Sequence, residues 1–199
     1  MTIARQLAPA MLLVALAGCG SVGREAPPTA PPASSTAVLR GSEVGGRFIS
    51  LVGSRRQFAA PFLGVPGTNF YLLRSWIDTR NAQRLTQLYV EDSYAGAERG
   101  YDAAHDSDGT VLRFVAISRN EITCDNGNCS YAAEFAADLP EPLMQAHRQG
   151  LTVVFSAKSG PDLSIAVPGE LIDKQLTALD DAAATLPATA TAPAAGPPH

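Results

Sequence analysis

Residues 124–129 read Cys-Asp-Asn-Gly-Asn-Cys, and they separate two runs of alternating apolar and polar residues. An Asn-Gly pair between such runs is a strong hairpin signal, because both central residues of a type I′ turn need a positive φ. The turn sets Cys124 directly opposite Cys129 in a non-hydrogen-bonded pair. Such pairs lie roughly 4.5 Å apart at Cα, within the range that a disulfide needs. Residues 111–139 are therefore predicted to form a β-hairpin that carries a disulfide.

The same register gives the hairpin one apolar face and one polar face. The apolar face is predicted to hold Phe114, Ala116, Ser118, Ile122 and Cys124 on one strand and Cys129, Tyr131, Ala133, Phe135, Ala137 and Leu139 on the other. On the polar face Arg119 is expected opposite Glu134, and opposite charges across a strand pair are mildly stabilising. A slip of one residue would turn the apolar face outward, so the pattern predicts a single register.

Residues 1–18 have the pattern of a signal peptide. Arg5 is the only charge, and an apolar run at residues 8–17 is too short to span a membrane. The run ends in Leu16-Ala17-Gly18-Cys19, which resembles the lipobox of bacterial lipoproteins. The resemblance implies cleavage before Cys19, a diacylglycerol on its sulfur and usually a third acyl chain on its new amino group.

This resemblance implies a membrane partner and a location. Two or three acyl chains anchor a protein stably, so the domain is expected to be held at the cell envelope and to face the periplasm. Gly20 stands where the inner-membrane retention signal of the family would have an aspartate, which favours the outer membrane. The alternative is an ordinary secretory signal that ends in a chance cysteine.

An oxidising compartment favours a structural disulfide between Cys124 and Cys129, the pair that remains once Cys19 is lipidated. A redox-active or metal-binding pair is the alternative. The two cysteines have neither the spacing of a redox motif nor a flanking histidine or third cysteine for zinc.

Composition excludes some classes of function. The 199 residues carry a net charge of -4, and removal of Arg5 with the signal makes the chain more acidic still. This charge argues against a nucleic-acid binder. The ordered part is long enough for one hydrophobic core and too short for two.

We expect four segments along the chain. Residues 1–18 are the signal peptide, and residues 19–46 are the lipidated cysteine with a disordered tether rich in Pro and Ala. Residues 47–186 form a single β-rich domain, and residues 187–199 form a disordered tail. The prolines keep the tether extended.

The domain is predicted to be mainly β, as an antiparallel sandwich or small barrel of about six to eight strands. Strands are expected at residues 47–52, 57–63, 68–78, 85–91, 111–139, 151–158 and 163–167, with an irregular region at residues 93–108. Asp138 and Glu141 suggest a capping box for a short connector helix. Residues 170–186 have the apolar spacing of an amphipathic helix that docks on the sheet.

The densest polar cluster offers a possible ligand or metal site at Asp102, His105, Asp106 and Asp108. Carboxylate oxygens are the ligands that hard cations prefer, but the glutamate that would end an EF-hand loop is missing. A solvated turn before the hairpin is the competing interpretation.

We identify no catalytic residues and no cofactor motif, since the chain has neither a Gly-x-Ser-x-Gly elbow nor a glycine-rich phosphate loop. The first hypothesis is a non-catalytic accessory or binding module with an envelope protein partner. The second is a module that binds a small ligand in a cavity lined by Trp76, Phe114 and Phe135. The third is a hydrolase that uses residues 93–108.

Overall fold

The computed structural model describes residues 38–43 and 46–187, and these residues form a mainly β fold. The predicted signal peptide, the lipobox, most of the predicted tether and the tail from residue 188 onward lie outside the described residues. No helix in the described ranges is long and apolar enough to cross a membrane. The strands are β1 (Leu39–Glu43), β2 (Phe48–Val52), β3 (Arg56–Gln57), β4 (Phe70–Asp78), β5 (Arg84–Ala95), β6 (Tyr101–Asp106), β7 (Val111–Leu112), β8 (Phe114–Asp125), β9 (Asn128–Asp138), β10 (Gly150–Ala157) and β11 (Leu163–Pro168). The helices are α1 (Glu141–Ala146) and α2 (Gly169–Ala183).

The strands form two antiparallel sheets, which confirms the prediction of a sandwich-like β fold. The larger sheet has the order β1-β2-β4-β5-β9-β8, with β3 also paired to β4, and the smaller has the order β11-β10-β6-β7. β4 is a central strand, as its two apolar faces predict. β8 lies at one edge of the larger sheet, and this edge approaches β6 of the smaller sheet.

The core lies between the sheets and under α2. Side chains such as Ile77, Leu88 and Phe155 are fully buried there. α2 packs against β2, β4, β10 and β11 and so covers the side of the sandwich away from β8. Its buried residues Ile172, Leu176 and Leu179 follow the predicted helical spacing.

The β8–β9 hairpin has the predicted turn but not the predicted register along its whole length. Cys124 opposes Cys129, and the two sulfurs are joined in a disulfide with a Cα–Cα distance of 3.9 Å. Two bulges, at Ile122 and Ile117, then shift the pairing by one residue each. The predicted cross-strand pair of Arg119 with Glu134 is therefore wrong.

The shift moves Arg119 to the other face of its strand. It lies opposite Ala133, and its guanidinium pairs with the carboxylate of Glu98. Residues 116–128 of this hairpin are mostly exposed, unlike the predicted apolar face of β8, whereas the inner face of β9 is buried as predicted. Each bulge inserts one residue into the edge strand alone, so the alternation in the sequence carries no sign of it.

The domain begins earlier than predicted, because β1 lies within the segment assigned to the tether. β1 pairs with β2 along its whole length, yet Leu39 is 70% exposed. Backbone hydrogen bonds hold this strand, and its side chains bury little. Composition alone therefore makes it look like linker.

Two other predicted segments differ from the structure. Residues 93–108 were expected to be irregular, but β5 continues to Ala95 and β6 occupies Tyr101–Asp106. The strand predicted at residues 57–63 is mostly a loop with a single 3-10 turn at Phe62–Gly64.

The predicted capping box before α1 is absent. The N-cap is Pro140, without a side-chain bond to the helix. The carboxylate of Asp138 instead accepts hydrogen bonds from Gln87 on β5, at 2.9 Å, and from Arg113 between β7 and β8, at 2.6 Å.

Candidate functional site

The carboxylate of Asp106 stabilises the turn that follows β6. Its side chain is almost fully buried, and its Oδ1 accepts hydrogen bonds from the backbone N–H of Asp108, at 2.9 Å, and of Thr110, at 2.8 Å. Burial raises the pKa of Asp106, but these donors outweigh it and hold the pKa below its usual value. The carboxylate is thereby committed to an Asx-type turn.

The other residues of the predicted ligand cluster point to separate partners. The Nδ1 of His105 lies 2.7 Å from the carbonyl oxygen of Asp106, and the carboxylate of Asp102 pairs with Lys158 at 3.4 Å. The pairing of β6 with β10 has a bulge at Asp102, and Asp102 is exposed whereas Asp106 is buried. The structure does not bring the four predicted residues together as one set of metal ligands. Within the described residues, only Glu121, Cys124 and Cys129 place three potential ligand atoms (a His nitrogen, a Cys sulfur or a carboxylate oxygen) within 4.8 Å of one another.

A cavity of about 320 Å³ lies where β8 approaches β6, and we call it the β6–β8 cavity. It is lined by Tyr94, Gly100, Tyr101, Phe114, Ala116, Ile117, Ser118, Arg119, Ala133, Glu134 and Phe135. Three aromatic rings meet in its wall, with Phe135 centred 4.5 Å from Tyr101 and 5.9 Å from Phe114. Small side chains at Ala116 and Ala133 leave the space between them open.

A polar triad of the buried Asp92 and the partly buried Arg99 and Tyr101 fixes the tyrosine in this wall. The hydroxyl of Tyr101 donates a hydrogen bond to Asp92 Oδ2 at 2.8 Å, and Arg99 Nη1 donates to the same oxygen at 2.8 Å. Burial is the main cause that raises the pKa of Asp92, and the bonds from Tyr101 and Arg99 oppose it. Burial and the neighbouring Asp92 carboxylate raise the pKa of Tyr101 as well. The tyrosine therefore stays protonated near neutral pH, and its ring is fixed in orientation.

Arg99 also ties the triad to a second tyrosine at the cavity. Its guanidinium lies 4.2 Å from the ring centre of Tyr94, and its backbone N–H donates to the Tyr94 hydroxyl at 3.0 Å. Such cation–π contacts stabilise both groups modestly. The triad and Tyr94 thus form one rigid support behind the cavity.

The mouth of the cavity carries charges that are already paired. Arg119 reaches the rim because the bulge at Ile122 changes the face on which it lies, and there it contacts Glu98. The tyrosine hydroxyl, the buried carboxylate and both guanidinium groups have partners within the protein. The cavity therefore offers ring faces and methyl groups to a ligand more readily than unpaired polar groups.

Trp76, which was expected to line a cavity with Phe114 and Phe135, lies elsewhere. It borders a more open groove on the outer face of the larger sheet, with Phe48 and Leu85 beside it. The guanidinium of Arg74 lies 5.1 Å from the ring centre of Trp76 and 4.8 Å from that of Tyr89. The second hypothesis thus identified two cavity residues and misplaced the third.

No protein-family model matches this chain, and no curated protein or solved structure matches it either. The function is therefore argued from the geometry of the β6–β8 cavity. The sequence predicted two residues of this cavity, Phe114 and Phe135, because both lie on the apolar face of the hairpin. Arg99 and Tyr101 fell in the segment expected to be irregular and Asp92 directly before it, and no signal in the sequence pairs the three residues.

Proposed function

We propose that the protein is an envelope lipoprotein whose β domain is a non-catalytic binding module for a small apolar ligand. The β6–β8 cavity carries this proposal, because it combines a concave aromatic wall with polar groups that are already paired. Its volume falls in the range of about 300–1,000 Å³ that is typical of small-molecule sites. An aromatic ring or a short acyl segment has the matching chemistry.

The lipid anchor expected at Cys19 sets the context of this binding. A ligand with an apolar body partitions into membranes, so a module held at the membrane surface would meet it at a raised local concentration. The outer-membrane location and the periplasmic orientation belong to this proposal and derive from the lipobox.

The binding proposal is tested with N-phenyl-1-naphthylamine, an uncharged aromatic dye whose fluorescence rises in apolar sites. Ala116 is exposed and lines the cavity, so Ala116→Phe should fill the cavity with little effect on stability. We expect the wild-type protein to bind the dye and Ala116→Phe to lose most of this binding.

Ala103→Phe is the matched control, because Ala103 is an exposed alanine on β6 that does not line the cavity. It should bind the dye like the wild type. A wild-type protein without dye binding, or equal binding by the two variants, would contradict a ligand site in the β6–β8 cavity.

A partner-binding role is a second candidate, and the exposed end of the β8–β9 hairpin favours it. Residues 119–128 are exposed on both faces of the end of β8 and in the turn, and Ile122 presents 51% of its surface to solvent. In-cell crosslinking followed by mass spectrometry tests this role. A reproducible envelope protein that is lost on Ile122→Asp would support it, and an unchanged crosslinking pattern would count against it.

A further inference from the structure

The bulge at Ile122 has a consequence for the chemistry of the hairpin end. In a regular ladder that continued from the Cys124–Cys129 pair, Glu121 would oppose Ala132 and point away from the sulfurs. The observed pairing sets Glu121 opposite Tyr131, the neighbour of Cys129 on the same strand face. The extra residue therefore brings a carboxylate to the side of the hairpin that carries both cysteines.

The distances show that this arrangement is tight. A carboxylate oxygen of Glu121 and the Sγ atoms of Cys124 and Cys129 all lie within 4.8 Å of one another. Glu121 and Cys124 are exposed and Cys129 is half-buried. A reductant and a cation can both reach the three groups from solvent.

We propose that the hairpin end, once reduced, binds one thiophilic divalent cation such as Zn²⁺ through Cys124, Cys129 and Glu121. Zinc accepts thiolate and carboxylate ligands in tetrahedral geometry, and three protein ligands leave the fourth position for water. Two thiolates and a carboxylate supply three negative charges, and thiolate ligands select zinc and cadmium over the hard cations calcium and magnesium. The disulfide and the metal complex are then alternative states of the same residues.

Conversion of the disulfide to the metal complex takes a reduction followed by metal binding. A dithiol reductant supplies two electrons and two protons, which break the S–S bond and leave two thiols, while the reductant itself becomes a disulfide. Metal binding then displaces the two thiol protons, because only thiolates act as ligands. The exposed position of the bond makes it accessible to such an exchange.

The test uses the full chain with Cys19→Ser, which removes the third thiol, and cadmium as a spectroscopic probe. After reduction with a phosphine that is then removed, ultraviolet thiolate-to-cadmium absorption is followed during titration, and zinc is added in competition. We expect one cadmium ion per reduced chain, displaced by zinc, and no such absorption for the oxidised chain.

Glu121→Gln separates the proposed site from a simple dithiol, and it should weaken cadmium binding by about tenfold or more. Asp125→Asn is the matched control, since this exposed carboxylate is adjacent to Cys124 in sequence and outside the three-residue group. It should bind like the parent chain. Equal binding by the two variants would overturn the role of Glu121. No one-to-one binding, or unfolding of the chain on reduction as seen by circular dichroism, would overturn the site itself.

Discussion

Asp92 accepts hydrogen bonds from both Arg99 and Tyr101 behind the wall of the β6–β8 cavity. Its side chain is 4% exposed, whereas that of its partner Arg99 is 23% exposed. Asp92→Ala removes the acceptor shared by Arg99 and Tyr101 and leaves both donors without a partner. Water reaches Arg99 in part, so we expect a loss of about 2 kcal/mol in the free energy of unfolding, measured by urea denaturation.

Asp102→Ala provides the comparison for this prediction. Asp102 also pairs with a cation, Lys158, but both side chains are about half exposed or more. Exposed ion pairs contribute about 0–1 kcal/mol, so this variant should lose much less stability. Similar losses in the free energy of unfolding for the two variants would mean that the triad does not hold the wall of the cavity.

Asp106 predicts a dependence of stability on pH. Its folded-state pKa lies below the usual value of 3.8 because backbone N–H groups bind the carboxylate. A lowered folded-state pKa adds stability that is complete above the unfolded-state pKa and is lost as the pH falls through the folded-state pKa. Asp106→Asn lacks this titration. The wild type should therefore lose its advantage in free energy of unfolding over Asp106→Asn as the pH falls. Urea midpoints of both proteins between about pH 2 and pH 7 measure this difference. A difference that stays constant over this range would contradict the prediction.

At the scale of the elements, α2 is held by a polar side chain as well as by its apolar face. Gln175 is fully buried, and its Nε2 donates to the carbonyl of Leu51 at 3.1 Å and to Ser75 Oγ at 2.8 Å. Gln175→Ala leaves both acceptors buried without this donor and opens space under the helix. We expect the free energy of unfolding to fall by about 2–3 kcal/mol, measured by thermal and urea unfolding.

Thr177→Ala is the control on the exposed side of the same helix, and it should change stability by no more than about 0.5 kcal/mol. Gln175→Leu keeps the side-chain volume but lacks the donor. If Gln175→Leu loses about as much free energy of unfolding as Gln175→Ala, the effect belongs to the hydrogen bonds. Wild-type stability of both Gln175 variants would refute this account of helix docking.

The elements that the sequence predicted are those with a local signal. The turn and the Cys124–Cys129 pair follow from Asn-Gly, and α2 follows from the spacing of its leucines. β6 was missed because Asp102 and His105 give it the composition of a loop, although pairing with β10 and β7 makes it a strand. Bulges add a residue without changing composition, so the face of Arg119 could not be read from alternation.

At the scale of the whole molecule, the site could be predicted only where a single hairpin supplies the residues. Phe114 and Phe135 share the apolar face of one hairpin, so the sequence placed them together. The triad joins the end of β5 to the start of β6, which lie in different sheets. Trp76 was misplaced because β4 has two apolar faces, and alternation does not tell which of them meets the second sheet.

The lipobox predicts a lipid anchor that would hold the whole molecule at a membrane, and Cys19→Ser tests it. This change removes the sulfur that would carry the diacylglycerol, and we expect the protein to move from the membrane fraction to the soluble fraction and to lose label from palmitate. Cys124→Ser is the matched control and should stay in the membrane fraction with its label. Dye binding by Cys19→Ser should equal that of the wild type, because the cavity is built from residues 94–135. A Cys19→Ser protein that stays with the membrane would contradict the lipid anchor and leave the cavity proposal intact. The lipid anchor and the ligand cavity are thus tested independently of each other.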